Sequence, residues 1–96
     1  MAEEKKLQTS ILDDLRSMKD CFCFKIMKAS DDSIPDIFFT TLKSGSVFVE
    51  VKSPGKIPSP SQQRILDLLS KCGAKSFSCD SWSGWIKIKQ TLGILH

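Results

Sequence analysis

Three residues in the middle of the chain have the chemistry of a divalent-cation site. Asp36 follows a proline, and one residue separates Glu50 from Lys52. Magnesium is commonly held by one or two carboxylates together with waters and substrate phosphate. Side chains alternate along a strand, so the Lys52 amine points the same way as the Glu50 carboxylate. A surface salt bridge on a half-exposed strand would explain Glu50 and Lys52 alone. Asp36 is expected at the same end of the neighbouring strand. Three residues then coincide at one place, which favours the metal site.

A β-hairpin over residues 34–52 is expected to position these side chains. Apolar, β-branched and aromatic residues fill 37–41 and 47–51, as is typical of strands. Between them, Lys43-Ser44-Gly45 predicts a three-residue loop whose glycine takes a positive φ.

The predicted loop sets the register of the hairpin. Leu42 would pair with Ser46, which places Asp36 opposite Lys52 and Phe38 opposite Glu50. The charged residues then converge at one end of one face. The other face is expected to pack on the core, and it carries Ile37, Phe39, Val47, Val49 and Val51. A slip of one residue would separate Asp36 from Glu50, so the proposed site depends on this register.

Pro35-Asp36 followed by Glu50-Val51-Lys52 resembles the signature of the PD-(D/E)XK nucleases. The wider pattern resembles the VRR-NUC branch of that superfamily, in particular its small stand-alone, Holliday-junction-resolvase-like members. The family's Gly-x-Pro-Asp, Glu-Val-Lys and Ser-Pro-x-Gln motifs are matched by Ser33-Ile34-Pro35-Asp36, Glu50-Val51-Lys52 and Ser59-Pro60-Ser61-Gln62. Upstream, Glu4-Lys5-Lys6-Leu7-Gln8 resembles the acidic, glutamine-containing start of the family's first helix. Ser33 departs from the usual glycine. The resemblance covers nearly the whole chain.

The resemblance implies metal-dependent hydrolysis of a phosphodiester. It places Mg²⁺ or Mn²⁺ on Asp36, Glu50 and the backbone carbonyl of Val51. The cation would stabilise the charge that develops on the phosphate, and Lys52 would orient or deprotonate the attacking water.

Two further candidates for the catalytic site, Glu4 and Gln62, each have a structural explanation as well. Glu4 lies in the first turn of a predicted helix, where a negative charge complements the helix dipole. Ser59, Pro60 and Gln62 form the sequence pattern of a capping box at the start of another helix. The resemblance places both side chains near the metal, and the two explanations are compatible. The candidate DNA contacts are Gln8, Lys28, Ser33, Lys56 and Arg64.

The spacing of apolar residues predicts seven elements in the order α-β-β-β-α-β-α. Helices are expected over 3–18, 60–72 and 84–92, the last capped by Ser83, with strands over 21–28, 37–41, 47–51 and 74–81. This order resembles the PD-(D/E)XK restriction-endonuclease-like core, an α/β fold with a mixed sheet flanked by helices.

Composition sets the limits of the functional prediction. A chain of 96 residues predicts a single domain, 1–96, with a small core that dimerisation would help. The net charge of +3 permits nucleic-acid binding without requiring it. There is no long apolar run for a membrane span, and the polar N-terminus is unlike a secretory signal. The four cysteines lack a Cys-x-x-Cys pair, which argues against zinc, and are expected to be reduced, buried thiols. We expect an intracellular protein, in the cytoplasm of a bacterium or of the host cell of a bacterial virus.

The predicted function is a homodimeric, Mg²⁺- or Mn²⁺-dependent endonuclease that cuts branched DNA such as four-way junctions during repair or recombination. A catalytically silent DNA-binding or assembly module of the same fold is the first alternative. An RNA-binding or tRNA-processing module is the second, and the absence of an aromatic-rich RNA-binding motif weakens it.

Overall fold

The structure is a computed structural model that describes residues 2–27 and 33–95. The described residues form α1 (Ala2–Arg16), β1 (Cys21–Lys25), β2 (Ile37–Thr41), β3 (Gly45–Val51), α2 (Pro60–Lys71), β4 (Lys75–Cys79) and α3 (Trp82–Leu92). The predicted order α-β-β-β-α-β-α is confirmed. Across these residues, none of the helices combines the length and the apolar composition that a membrane crossing needs.

The four strands form one mixed sheet in the order β1-β2-β3-β4. Strands β1, β2 and β3 pair antiparallel, whereas β3 and β4 are parallel. The parallel pair requires a crossover, and α2 provides it. Asp36, which immediately precedes β2, and Glu50, in β3, consequently lie next to each other at the middle of the sheet.

The predicted hairpin register is wrong by two residues. Thr41 pairs with Gly45, and Ile37 pairs with Val49, so the loop is 42–44. The Thr41 side chain closes this loop, because its Oγ1 accepts a hydrogen bond from Ser44 N at 2.9 Å and donates one to Ser44 Oγ at 2.8 Å. Gly45 has the predicted positive φ, at 70°. A shift of two residues keeps every side chain on its predicted face, since the side-chain period of a strand is two.

One face of the sheet carries the hydrophobic core. Each of the hairpin positions predicted to face inward is fully buried, namely Ile37, Phe39, Val47, Val49 and Val51. Helix α1 packs on this face with Ile11 and Leu15, and α3 packs there with Trp85, whose ring meets Phe39 edge-on. The core therefore holds α1 and the sheet in a fixed relation, which matters for Glu4 at the start of α1.

The opposite face is covered only in part. Helix α2 packs over β4, where Ser76 Oγ donates a hydrogen bond of 2.7 Å to the Leu66 carbonyl. The apolar residues of α2 and its C-cap are covered only in part, because Leu66 is buried while Leu68 and Cys72 are exposed. The helix contacts the sheet along β4, so the rest of its apolar surface stays open.

Two further expectations need correction. Ser81, not Ser83, caps α3, because its Oγ accepts from Gly84 N at 3.1 Å. The cysteines are free in the structure, but only Cys79 is buried as predicted; Cys21 and Cys23 are half-buried and Cys72 is exposed. Burial, with Cys23 beside it, raises the pKa of the Cys21 thiol to about 11. The Cys21 thiol is consequently protonated and unreactive at neutral pH.

Candidate functional site

Asp36 lies immediately before β2 and is held by the backbone of β3. The Asp36 N–H donates to the Val49 carbonyl at 3.1 Å, and the Val51 N–H donates to Asp36 Oδ2 at 2.8 Å. One further step along the observed register places Asp36 beside Glu50, not beside Lys52 as predicted. The corrected register therefore brings the two carboxylates closer together than the sequence prediction did.

Glu4 completes a group of three carboxylates. One oxygen from each of Glu4, Asp36 and Glu50 lies within 4.8 Å of the others. Glu4 reaches the sheet because Ile11 and Leu15, on the same helix, are anchored in the core. Three negative charges at this distance repel one another, and a bound cation would remove that repulsion. The donors are all carboxylate oxygens, which suit Mg²⁺ or Mn²⁺ better than softer metals.

Gln62 connects Glu50 to Lys52. The Lys52 ammonium donates to Gln62 Oε1 at 3.2 Å, and Gln62 Nε2 donates to Glu50 Oε2 at 3.5 Å. The Glu50 side chain is 2% exposed, so it is held inside the protein rather than on a solvated strand face. One amide therefore fixes the relative positions of a carboxylate and an amine that share a strand.

The same glutamine forms the predicted capping box at the start of α2. Gln62 N donates to Ser59 Oγ at 3.2 Å, and Ser59 N donates to Gln62 Oε1 at 2.9 Å. Gln62 Oε1 thus accepts from both the helix cap and Lys52. The cap orients the amide before it meets Lys52, so the helix start and the site are built from one side chain.

A cavity of about 650 Å³ opens over the three carboxylates. Gln8, one turn after Glu4, is part of its wall and is 8% exposed. Among the described residues, Gln8 Oε1 has no hydrogen-bond partner. A buried amide oxygen without a partner costs free energy, and a bound water or ligand at this place would satisfy it. This is a second, independent sign that the cavity accommodates a polar ligand.

The structure brings together some of the predicted site residues and not others. Lining the cavity are Glu4, Gln8, Asp36, Glu50, Lys52 and Gln62. Ser33, Lys56 and Arg64 are described but do not line it, and Lys28 lies outside the described residues. The Val51 carbonyl remains a prediction; the Val51 N–H is the group that contacts Asp36.

Two lysines of the cavity wall, Lys5 and Lys25, were absent from the predicted set of DNA contacts. Lys5 is adjacent to Glu4 in the first turn of α1. This position next to a candidate site residue is the sequence feature from which Lys5 could have been predicted. Lys25 is the last residue of β1 and pairs with Ile37, the residue that follows Asp36. The position of Lys25 beside the site therefore follows only from the pairing of β1 with β2.

The sheet topology, the three clustered carboxylates and the lysine beside them agree with the nuclease-type domain that the sequence resembles. The family model described as "VRR-NUC domain" matches residues 1–82. The chain belongs to the VRR-NUC domain family.

Two solved structures have the same fold. One, titled "VRR_NUC domain", aligns with a TM-score of 0.80 and 22% identity, covering 92% of this chain and 95% of the other. A second, titled "VRR_NUC domain protein", aligns with a TM-score of 0.74 and 15% identity, covering 94% of this chain and 87% of the other. No curated protein matches the chain.

Proposed function

We propose that this chain is a metal-dependent endonuclease that cuts branched DNA, such as four-way junctions, and acts as a homodimer within the cell. The observation that carries the proposal is the meeting of Glu4, Asp36 and Glu50 within 4.8 Å, beside a lysine held in place by Gln62. Membership of a nuclease family supports the chemistry. Branched DNA, the dimer and a role in repair or recombination rest on the resemblance to small resolvase-like members.

The three carboxylates would hold Mg²⁺ or Mn²⁺, with the Val51 carbonyl as a further ligand. When bound, the cation would supply charge stabilisation for the phosphodiester during hydrolysis. Lys52, fixed by Gln62, would orient or deprotonate the water that attacks phosphorus. Gln8 Oε1 would accept a hydrogen bond from a water inside the cavity, because it has no partner among the described residues.

Substrate phosphates would meet the lysines around the cavity. Lys5 and Lys25 stand on its wall on the side of α1 and β1, whereas Lys52 stands on the side of α2. Such contacts hold the DNA backbone without reading bases, so binding would weaken steeply with salt. The exposed Lys56 and Arg64 would contact DNA only beyond the cavity.

The test compares cleavage of a labelled four-way junction, a flap and a linear duplex with Mg²⁺, Mn²⁺ or EDTA. Asp36→Asn is the decisive variant, because the amide can still accept from Val51 N while the charge is lost. Asp67→Asn is the matched control, since the Asp67 carboxylate also accepts one hydrogen bond, from Gln63 Nε2, but on the exposed face of α2.

We expect metal-dependent, paired cuts in the junction from the unmodified protein and from Asp67→Asn, and none from Asp36→Asn or with EDTA. Cutting of flaps alone would retain the chemistry and reject the junction. Binding without cutting of any substrate would reject the nuclease and favour the silent DNA-binding module.

A further inference from the structure

The loop between β3 and α2 presents a highly exposed apolar side chain beside the candidate site. Ile57 is 81% exposed. Leu42 is also exposed, but it is in the hairpin loop at the opposite end of the sheet, and Phe22 and Phe24 are exposed along the open sheet face. A single exposed apolar residue is ordinary on a protein surface. Ile57 differs because its backbone is fixed and because its loop starts and ends at the site.

The first half of this loop is an anchored turn. The Lys56 N–H donates to the Ser53 carbonyl at 2.9 Å. The two central residues are Pro54 and Gly55, and the φ of 79° at Gly55 completes the pattern of a type II turn. The Gly55 N–H donates to Asp80 Oδ2 at 2.9 Å, which ties the turn to the residue after β4. Two hydrogen bonds therefore hold the backbone that precedes the exposed isoleucine.

The chain after Ile57 is fixed by the helix cap. Pro58 restricts the residue before it to extended conformations. Ser59 N donates to Gln62 Oε1 at 2.9 Å, and the Lys52 ammonium donates to the same oxygen at 3.2 Å. The loop is thus closed at its base by residues of the candidate site. Two residues span at most about 7 Å, so the Ile57 Cα lies within that distance of the Ser59 Cα.

We propose that Ile57 is an apolar wedge that enters an opened base step of the DNA and makes the protein prefer branched DNA to a linear duplex. Apolar side chains that insert between base steps unstack the bases and kink the duplex. Unstacking costs least where stacking or pairing is already interrupted, as at the exchange point of a junction. The wedge rests on the proposed function for its substrate, and it assigns the preference for branched DNA to one side chain.

The charges near Ile57 suit DNA. The segment 53–64 contains two basic residues, Lys56 and Arg64, and no acidic one. Both basic side chains are exposed. Cations of this kind hold phosphates on either side of a wedge without reading bases. Consecutive base steps are about 3.4 Å apart, so a loop whose base is closed at the site inserts within a few steps of the bond to be cut.

The test measures the affinity of the full chain for a four-way junction and for a linear duplex, in EDTA so that binding is observed without cutting. Ile57→Ser removes the apolar side chain, whereas Ile57→Leu keeps one of the same volume. The matched control is Leu42→Ser, because Leu42 is 93% exposed at the opposite end of the sheet. Lys56→Gln is a second comparison, since the loss of a phosphate contact weakens binding to all DNA alike. Circular dichroism checks that each variant is folded.

We expect the unmodified protein, Ile57→Leu and Leu42→Ser to prefer the junction equally. Ile57→Ser should lose roughly tenfold in affinity for the junction, with little change for the duplex. Lys56→Gln should weaken both by the same factor. A junction with 2-aminopurine at the exchange point reports the insertion directly. Its fluorescence should rise when the unmodified protein binds, because unstacking relieves the quenching, and should not rise with Ile57→Ser.

Equal losses for junction and duplex in Ile57→Ser would overturn the wedge, and so would an unchanged junction affinity in that variant. An unmodified protein that does not prefer the junction would also overturn it. The cleavage assay separates the two proposals. Loss of the junction preference in Ile57→Ser, in a protein that cuts nothing, supports the wedge and rejects the nuclease. Metal-dependent cutting with an unchanged junction affinity in Ile57→Ser supports the nuclease and rejects the wedge.

Discussion

The structure separates the two explanations of Glu4, a charge that complements the helix dipole and a carboxylate of the candidate metal site. Its neighbour Glu3 is equally acidic, and both lie in the first turn of α1, where they complement the helix dipole. Glu4 alone joins Asp36 and Glu50 around the cavity, while Glu3 is exposed. The two residues therefore differ in position relative to the site and hardly at all in their effect on the helix.

This difference predicts different outcomes for the same substitution. Glu4→Gln should weaken binding of Mn²⁺ roughly tenfold or more, because a charged ligand becomes neutral, with a matching loss of cleavage at limiting metal. Glu3→Gln should leave both unchanged. Titration calorimetry with Mn²⁺ measures the affinity directly. Equal losses in the two variants would show that Glu4 acts through the helix dipole and not as a ligand.

At the scale of the elements, the start of α2 contains one side chain, Gln62, that belongs to both the helix cap and the candidate site. Ser59 serves only the cap, whereas Gln62 serves the cap and also contacts Lys52 and Glu50. Ser59→Ala should cost about 1 kcal/mol in the free energy of unfolding and change turnover little. Gln62→Leu should cost a similar amount of stability but lower kcat at least tenfold, because Lys52 and Glu50 lose their link.

Denaturant unfolding and steady-state cleavage, measured on both variants, separate the two roles. A loss of kcat in Ser59→Ala as large as that in Gln62→Leu would mean that the cap itself, and not the amide contact, supports the site. An unaffected kcat in Gln62→Leu would assign Gln62 to the helix alone.

Asp14 links α1 to α3 through its side chain. Its Oδ2 accepts from Trp85 Nε1 and from Lys89 Nζ, each at 2.7 Å. Lys89 is buried, so removing its partner would leave an uncompensated ammonium inside the protein. This ion pair ties the C-terminal part of α1 to α3.

Asp14→Ala should therefore lower the free energy of unfolding by roughly 3 kcal/mol. The neighbouring Asp13 is exposed, and Asp13→Ala should stay within about 0.5 kcal/mol of the unmodified protein. Adding Lys89→Met to Asp14→Ala should restore part of the loss, because the buried charge is gone. A double variant less stable than Asp14→Ala would contradict the assignment of the cost to that charge. Urea unfolding measures all of these variants.

How much could be predicted from the sequence depends on whether the interactions involved are local or long-range. Alternation along a strand is local, so the buried face of the hairpin and the shared face of Asp36 and Glu50 were predicted correctly. The register was not, because it depends on Thr41 closing the loop through Ser44, one of several polar residues able to do so. The exposure of Phe22 and Phe24 could not be predicted either. It depends on which part of the sheet α2 covers, and no local pattern specifies that.

At the scale of the whole molecule, the site is formed by segments from several elements whose main packing contacts lie elsewhere in the fold. Glu4 comes from α1, Asp36 from the segment that enters β2, and Glu50 from β3, with α2 contributing Gln62. The core fixes the middle of α1, and Asp14 fixes its far end. The first turn of α1 instead brings a third negative charge towards two others. A cation bound there would be coordinated by all three carboxylates, which would remove the repulsion between the elements that carry them.

Cation binding should accordingly stabilise the fold as a whole. At ten times its dissociation constant, Mn²⁺ would add about 1.4 kcal/mol to the free energy of unfolding. For a chain of this size that corresponds to a rise in Tm of roughly 5–10 °C, measurable by differential scanning fluorimetry against EDTA. Asp36→Asn should abolish the rise. Without metal, the same variant should melt above the unmodified protein, because one of the three clustered charges is removed. A rise that persists in Asp36→Asn would place the cation away from these carboxylates. A metal-free Asp36→Asn that melts lower would show that the Val51 hydrogen bond to a full charge outweighs the repulsion at the site.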